Sequence, residues 1–151
     1  MPKRLYRRVS SNERHLKKLK VVEPDMVTLG SDCSGLDTAA IAAKQIGLRA
    51  AVEFASEVDP RTRQLLIKQG HRPRVLFHDV MLRSPEAVPP VQIYTCGFPC
   101  QPVSTQGLHR GAKDPRSKVL RSVFRYIKKQ KPAVVVLENV KGLLMKKHRP
   151  A

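Results

Sequence analysis

Cys100 stands between Pro99 and Gln101, at the exit of an apolar run over residues 91–95, and opens a loop carrying Ser104, Gly107 and Gly111. The run reads as a buried strand, so the thiol falls at a strand's carboxyl end, where open α/β sheets bind ligands. A free thiol has a pKa of about 8.5. Only a small fraction is thiolate at neutral pH, but that fraction is a strong nucleophile. Pro99 restricts the turn, and Gln101 and Ser104 add hydrogen-bonding groups. Glu138 follows another apolar run, residues 133–137, and so also stands at a strand's carboxyl end. Two blander readings of Cys100 stay open: a buried structural thiol, or a redox partner of Cys96 at Cys-x-x-x-Cys spacing.

Further polar groups stand at comparable positions along the chain. Residues 26–30 read as a first strand, and residues 31–37 as a polar turn containing Gly35. A helix follows over residues 38–46 and stops at Gly47. Strand, glycine turn and helix open a nucleotide-binding βαβ unit, with backbone N–H groups at the helix start free to face a ligand. A second strand, residues 48–56, delivers Glu57, an acid about 20 residues past the glycine turn and so placed for ribose hydroxyls. Asp59 before Pro60 reads as the cap of the helix over residues 60–69. A third strand, residues 74–78, delivers Asp79 and Val80.

The fourth strand, residues 91–96, carries the thiol loop, and a helix from Lys118 presents Val119, Leu120, Val123, Phe124 and Ile127 on one face. The fifth strand, residues 133–137, is apolar without interruption, as a parallel strand covered on both faces would be. Strands alternating with helices predict an α/β fold with an open, mainly parallel sheet.

The chain has 151 residues and a formal net charge of +17, from 29 Lys and Arg against 12 Asp and Glu. A charge so far from zero bears on partners rather than on fold. Nucleic acid comes first, because each phosphate neutralised releases counterions. Residues 1–20 hold eight basic side chains and one acid, and read as a flexible basic arm. Phosphate contact, a nuclear address, an organelle transit peptide and a solvated tail all fit that arm. Three cysteines give no secreted disulfide framework, and no apolar stretch has the length of a membrane span. The expectation is an intracellular protein found with DNA, in a nucleus if eukaryotic and in the cytoplasm or nucleoid if bacterial.

The sequence from Met26 to about Leu143 resembles the DNA cytosine-5 methyltransferases. Two matches carry the resemblance: Gly97-Phe98-Pro99-Cys100-Gln101-Pro102-Val103-Ser104, and Leu137-Glu138-Asn139-Val140-Lys141-Gly142-Leu143. Asp114-x-Arg116 between them is similar to a weaker motif of the family. The resemblance implies a Rossmann-like S-adenosylmethionine-dependent fold with strand order 3-2-1-4-5, and no metal. It implies Cys100 and Glu138 as catalytic residues, with Pro99, Gln101, Ser104 and Asn139 on the substrate side. Cofactor contacts would come from Cys33, Ser34, Gly35, Leu36, Glu57, Val58, Asp79, Val80 and Val119.

Within that reading, Glu57 holds the ribose, Val58 flanks the adenine, Asp79 accepts from its amino group, and Val119 lines the pocket. The glycine turn departs from the family's Asp-Leu-Phe-Ala-Gly-x-Gly. Here Cys33 replaces the aromatic residue and Asp37 the last glycine, which implies weaker cofactor contact.

The family continues well past residue 151, with further strands, a target-recognition domain and a closing helix. Residues 21–151 are therefore expected to form a partial catalytic domain: a truncated product, a fragment, or one subunit of a split enzyme with a complementary carboxy-terminal half. Two function classes follow. One is a methyltransferase portion active when completed. The other is a non-catalytic basic remnant that binds nucleic acid or a partner.

Overall fold

The computed structural model describes residues 26–70, 72–99 and 117–141. The basic arm, Cys100, Gln101 and Ser104 lie outside the described residues. Five strands form one sheet: β1 (Val27–Asp32), β2 (Ala50–Ser56), β3 (Val75–Phe77), β4 (Ile93–Gly97) and β5 (Val134–Glu138). Their order is β3-β2-β1-β4-β5, and every neighbouring pair is parallel. Among the described residues the connections hold three α-helices, α1 (Thr38–Gln45), α2 (Pro60–Lys68) and α3 (Ser117–Gln130), and a short 3-10 turn, Pro85–Ala87, between β3 and β4. This is the Rossmann-like arrangement expected from the sequence. Its order reverses between β1 and β4, which places the crevice for a ligand at the carboxyl ends of those strands. Among the described residues, no helix is long and apolar enough to cross a membrane.

Local chemistry explains the helix starts. Asp59 caps α2, its Oδ2 accepting from the Thr62 N–H at 2.6 Å, and Pro60 takes the first helical position. The Thr62 hydroxyl, and after it that backbone bond, hold the Asp59 carboxyl below the usual range. Asp37 starts α1 differently. It is left-handed at φ 57°, and the Ser31 hydroxyl donates to its Oδ1 at 2.9 Å. The conformation that a glycine would supply is thus taken by a residue type that tolerates it.

Aromatic rings build the core between the sheet and α3. Phe54, Tyr94 and Tyr126 are fully buried, with Phe54 and Tyr126 edge to face at 5.4 Å between centroids. Gly30 makes the Phe54 position possible, since a β-carbon there would lie 2.2 Å from the ring. A bulge assists. Leu29 pairs with Val52 but Gly30 with Phe54, so Glu53 is the extra residue of β2. Glu53 is buried against Arg74 at 3.1 Å; burial raises its carboxyl above the usual range, and Arg74 partly opposes this.

One sequence expectation needs correction. β1 runs two residues further than its apolar run, through Ser31 and Asp32, because both polar side chains find buried partners. β5 has the apolar run typical of parallel strands covered on both faces, and in this chain its residues from Val134 to Leu137 are 37% to 50% exposed. Among the described residues β5 pairs with β4 alone and forms the sheet's edge.

Candidate functional site

The turn after β1 is held open by a carboxylate from β2. Glu57 Oε2 accepts from the Gly35 N–H and Oε1 from the Asp59 N–H, both at 2.9 Å. Arg63 reinforces that corner, donating to the Glu57 and Val58 carbonyls at 2.7 Å. The Ser34 N–H donates to the Ser56 carbonyl at 2.9 Å. Cys33, Gly35 and Asp37 all have left-handed backbones, with φ of 50°, 55° and 57°. Left-handed cysteine is uncommon, and such conformations cluster where a chain approaches a ligand.

Beneath the turn lies a buried charge network absent from the sequence reading. Asp32, at the end of β1, accepts from the Ser56 hydroxyl and the Tyr94 hydroxyl, each at 2.6 Å, and pairs with Arg83. Arg83 also donates to Ser56 Oγ at 2.6 Å, and its guanidinium lies over the rings of Phe54 and Phe77 at 5.0 and 4.9 Å. A fully buried aspartate is tolerated here because every contact is a charge-assisted donor. Burial and the Asp32 charge push the Tyr94 hydroxyl far above its usual range, so it stays a donor. Through Arg83 the segment after β3 is tied to the ends of β1 and β2.

A cavity of about 640 Å³ opens at the carboxyl ends of the strands. Of the residues singled out in the sequence, Cys33, Glu57, Val58, Asp79, Val80, Pro99, Val119, Glu138 and Asn139 line it. Ser34, Gly35 and Leu36 are not among its lining residues. The Gly35 N–H is directed to Glu57, and Leu36 is exposed. Sequence reasoning missed Ser56, His78, Met81, Gly97, Phe98 and Val140 as lining residues. The hydropathy alternation of β4 could have flagged Phe98; Ser56 and Met81 had no local signal.

Asp79 Oδ1 accepts from the Met81 N–H at 2.8 Å, which shapes its turn and leaves its second oxygen for other contacts. Gly97 pairs with Glu138 across β4 and β5, and a β-carbon at Gly97 would lie 3.2 Å from Glu138 Oε2. The chain that leads towards Cys100 therefore leaves the sheet directly beside the Glu138 carboxylate. Asn139 ties the two strand exits together, its Nδ2 donating to the Phe98 carbonyl at 2.7 Å. Cys96, four residues before Cys100, is buried within β4; a hydrogen bond with Cys33, followed by burial, raises its thiol far above the usual range.

The cavity thus has two chemical sides. One offers two carboxylates, Cys33 and apolar walls from Val58, Val80 and Val119, a set suited to a ribose and a flat heterocycle. The other offers Glu138 next to the exit of β4.

The model of the C-5 cytosine-specific DNA methylase family matches residues 26–151. The chain is 35% identical over 91 residues to the type II methyltransferase M.NlaIV of Neisseria lactamica, covering 60% of this chain and 21% of that protein. It is 31% identical over 104 residues to M.AluI of Cellulosimicrobium cellulans, covering 64% of this chain and 20% of that one. In the fold, it is similar to the Dnmt2 methyltransferase of S. pombe, with a TM-score of 0.61 at 14% identity over 82% of this chain and 37% of that one. The chain thus spans about a fifth of the length of these curated relatives.

Proposed function

Because the chain belongs to the C-5 cytosine-specific DNA methylase family, we propose that it forms the cofactor- and thiol-bearing part of an enzyme that methylates carbon 5 of cytosine in DNA. The observation that carries this reading is the meeting of Glu57, Asp79, Pro99, Glu138 and Asn139 around one cavity. These residues come from four strand ends far apart in sequence. S-adenosylmethionine fits the residues present: Glu57 for the ribose hydroxyls, Val58 beside the adenine, Asp79 for its amino group, and Val80 and Val119 as apolar walls. Its bound form supplies an electrophilic methyl group.

The chain's own residues do the rest. The Cys100 thiolate adds to carbon 6 of cytosine, a bond that opens the ring's 5,6 double bond and pushes electrons towards ring nitrogen 3 and carbon 5. Protonated Glu138 donates to nitrogen 3, so the ring gains no net charge, and carbon 5 becomes nucleophilic enough to take a methyl group. Loss of the carbon 5 proton to a base such as water then expels the thiolate, and nitrogen 3 returns its proton to Glu138, which restores the neutral aromatic ring. Gln101 and Ser104 contact the substrate, and Asn139 keeps Glu138 in register with the exit of β4. Gly97 gives the Glu138 carboxylate its space. The target carbon lies inside the base stack, so the base must be flipped out of the duplex.

The activity is proposed for residues 21–151 completed by a carboxy-terminal half, on the same or another polypeptide, since the relatives extend far beyond the matched segment. The net charge of +17 favours one competing reading, a non-catalytic basic module that binds nucleic acid. Trapping on DNA containing 5-fluorocytosine, with cofactor and the completing half supplied, separates the two. A covalent adduct mapped to Cys100 by mass spectrometry supports the enzyme. No adduct, with DNA binding retained, leaves the basic module.

A further inference from the structure

α3 places its basic residues on one side. Lys118, Arg121, Arg125, Lys128 and Lys129 are all exposed, and at 100° per residue they occupy an arc of about 100°. The helix contains no acid. Among the described residues Glu86 is a carboxylate that faces this side, 3.8 Å from Lys129; its hydrogen bond from Ser84 first, and the Lys129 and Arg125 charges last, hold its carboxyl below the usual range. Arg125 also donates to the Ser122 hydroxyl at 3.0 Å. Four positive charges remain after Glu86 is counted. Spread from Lys118 to Lys129 they cover about 16 Å, the axial length of roughly five base pairs.

We propose that this stripe is a second, sequence-blind contact surface for the phosphate backbone of duplex DNA, separate from the cavity. The first turn of α3 reaches the cavity through Val119, whereas its last turn is anchored well away from it, Gln130 Nε2 donating to the Pro85 and Val88 carbonyls at 2.9 and 3.1 Å. A duplex engaged at the cavity mouth therefore meets the start of the stripe, and the remainder extends contact along the backbone. A basic amphipathic helix can also serve an anionic membrane, but that requires a free apolar face. Here Val119, Val123 and Tyr126 are buried in the core with Leu120 and Ile127 packed against it, so a single exposed ring, Phe124, is all the apolar surface that α3 presents beside its charged face. Phosphate contacts of this kind hold and orient a protein without reading bases. The inference rests on charge and exposure along α3, not on methyl transfer.

The test uses the full chain and a fluorescent duplex of alternating dA and dT, which holds no cytosine, so the result is independent of any methylation activity. Binding is measured by anisotropy across a salt series for the parent, for Lys118→Gln/Arg121→Gln/Arg125→Gln/Lys128→Gln, and for a control with equal charge loss, Lys44→Gln/Arg61→Gln/Lys68→Gln/Arg72→Gln. The stripe variant should flatten the slope of log K against log salt by about 3.6, at about 0.9 for each of four lost phosphate contacts, and the control by less than about 1. Equal flattening in both variants overturns the proposal, because net charge alone would then govern binding. A stripe variant that loses phosphatidylserine vesicles or duplex RNA, but keeps the DNA duplex, overturns it too. The single reversal Arg121→Glu, checked for parent-like thermal unfolding, should flatten the slope by at least about 1 and guards against a folding defect in the fourfold variant.

Discussion

The two ends of the crevice are built in opposite ways. On the side of β1, β2 and β3, a buried aspartate draws Ser56 and Arg83 together and reaches across to Tyr94 of β4, and Glu57 clamps the glycine turn. On the side of β4 and β5, one amide, Asn139, joins the strand exits, and β5 lies exposed at the sheet's edge. The first side is fixed before any ligand arrives. Among the described residues the second shows fewer side-chain hydrogen bonds, and Glu138 sits where a neighbour as small as a β-carbon would disturb it. A site that must hold one molecule rigidly and admit another benefits from this division.

The comparison breaks most clearly at Asp32. Asp32→Ala leaves Arg83 buried without its countercharge, and should cost about 3–5 kcal/mol in urea denaturation. Replacing both, as Asp32→Leu with Arg83→Met, should recover most of that loss, since apolar residues of similar volume often substitute for a buried pair. A single Asp32→Ala change costing under about 1 kcal/mol would mean that the network does not brace this side.

Tyr94→Phe comes next. It removes one hydrogen bond to a charged acceptor and should cost about 1.5–3 kcal/mol, with cofactor affinity measured by calorimetry falling in parallel.

Asn139→Ala should cost only about 0.5–1.5 kcal/mol, the range for a single ordinary hydrogen bond, yet reduce methylation by the completed enzyme far more than it reduces stability. Gly97→Ala should behave alike, because it displaces the Glu138 carboxylate without opening the core. If either change destabilises the fold as much as Asp32→Ala, the contrast between the two sides fails.

The smallest effect concerns pH. Burial raises the folded pKa of Glu53 above its ordinary value of 4.5. The folded chain then binds this proton more tightly than the unfolded chain does. The contribution of Glu53 is fully present below 4.5 and is lost as pH rises through the folded pKa. Glu53→Gln should flatten the fall in melting temperature across that window; an unchanged profile would assign the titration to another group.

Much of this molecule follows from short-range pattern. The alternation of apolar runs with helical periodicity fixed the five strands, the three helices and the parallel sheet, because these depend on neighbours within a few residues. Asp59 as the cap of α2 is legible for the same reason: cap, proline and acceptor are contiguous. The two motifs also placed Glu138, Asn139 and Pro99 at strand ends, where β4 and β5 meet in register.

Tertiary structure decided the rest. Asp32 meets Ser56, Arg83 and Tyr94 across 24, 51 and 62 residues of chain, and none of the four has a local signature of that contact. The bulge at Glu53 and the fit of Gly30 under Phe54 arise only when two strands lie side by side. The exposure of β5 is likewise a property of the sheet: its apolar run is the same at the edge as in the centre, and position in the strand order alone sets how much of it is covered.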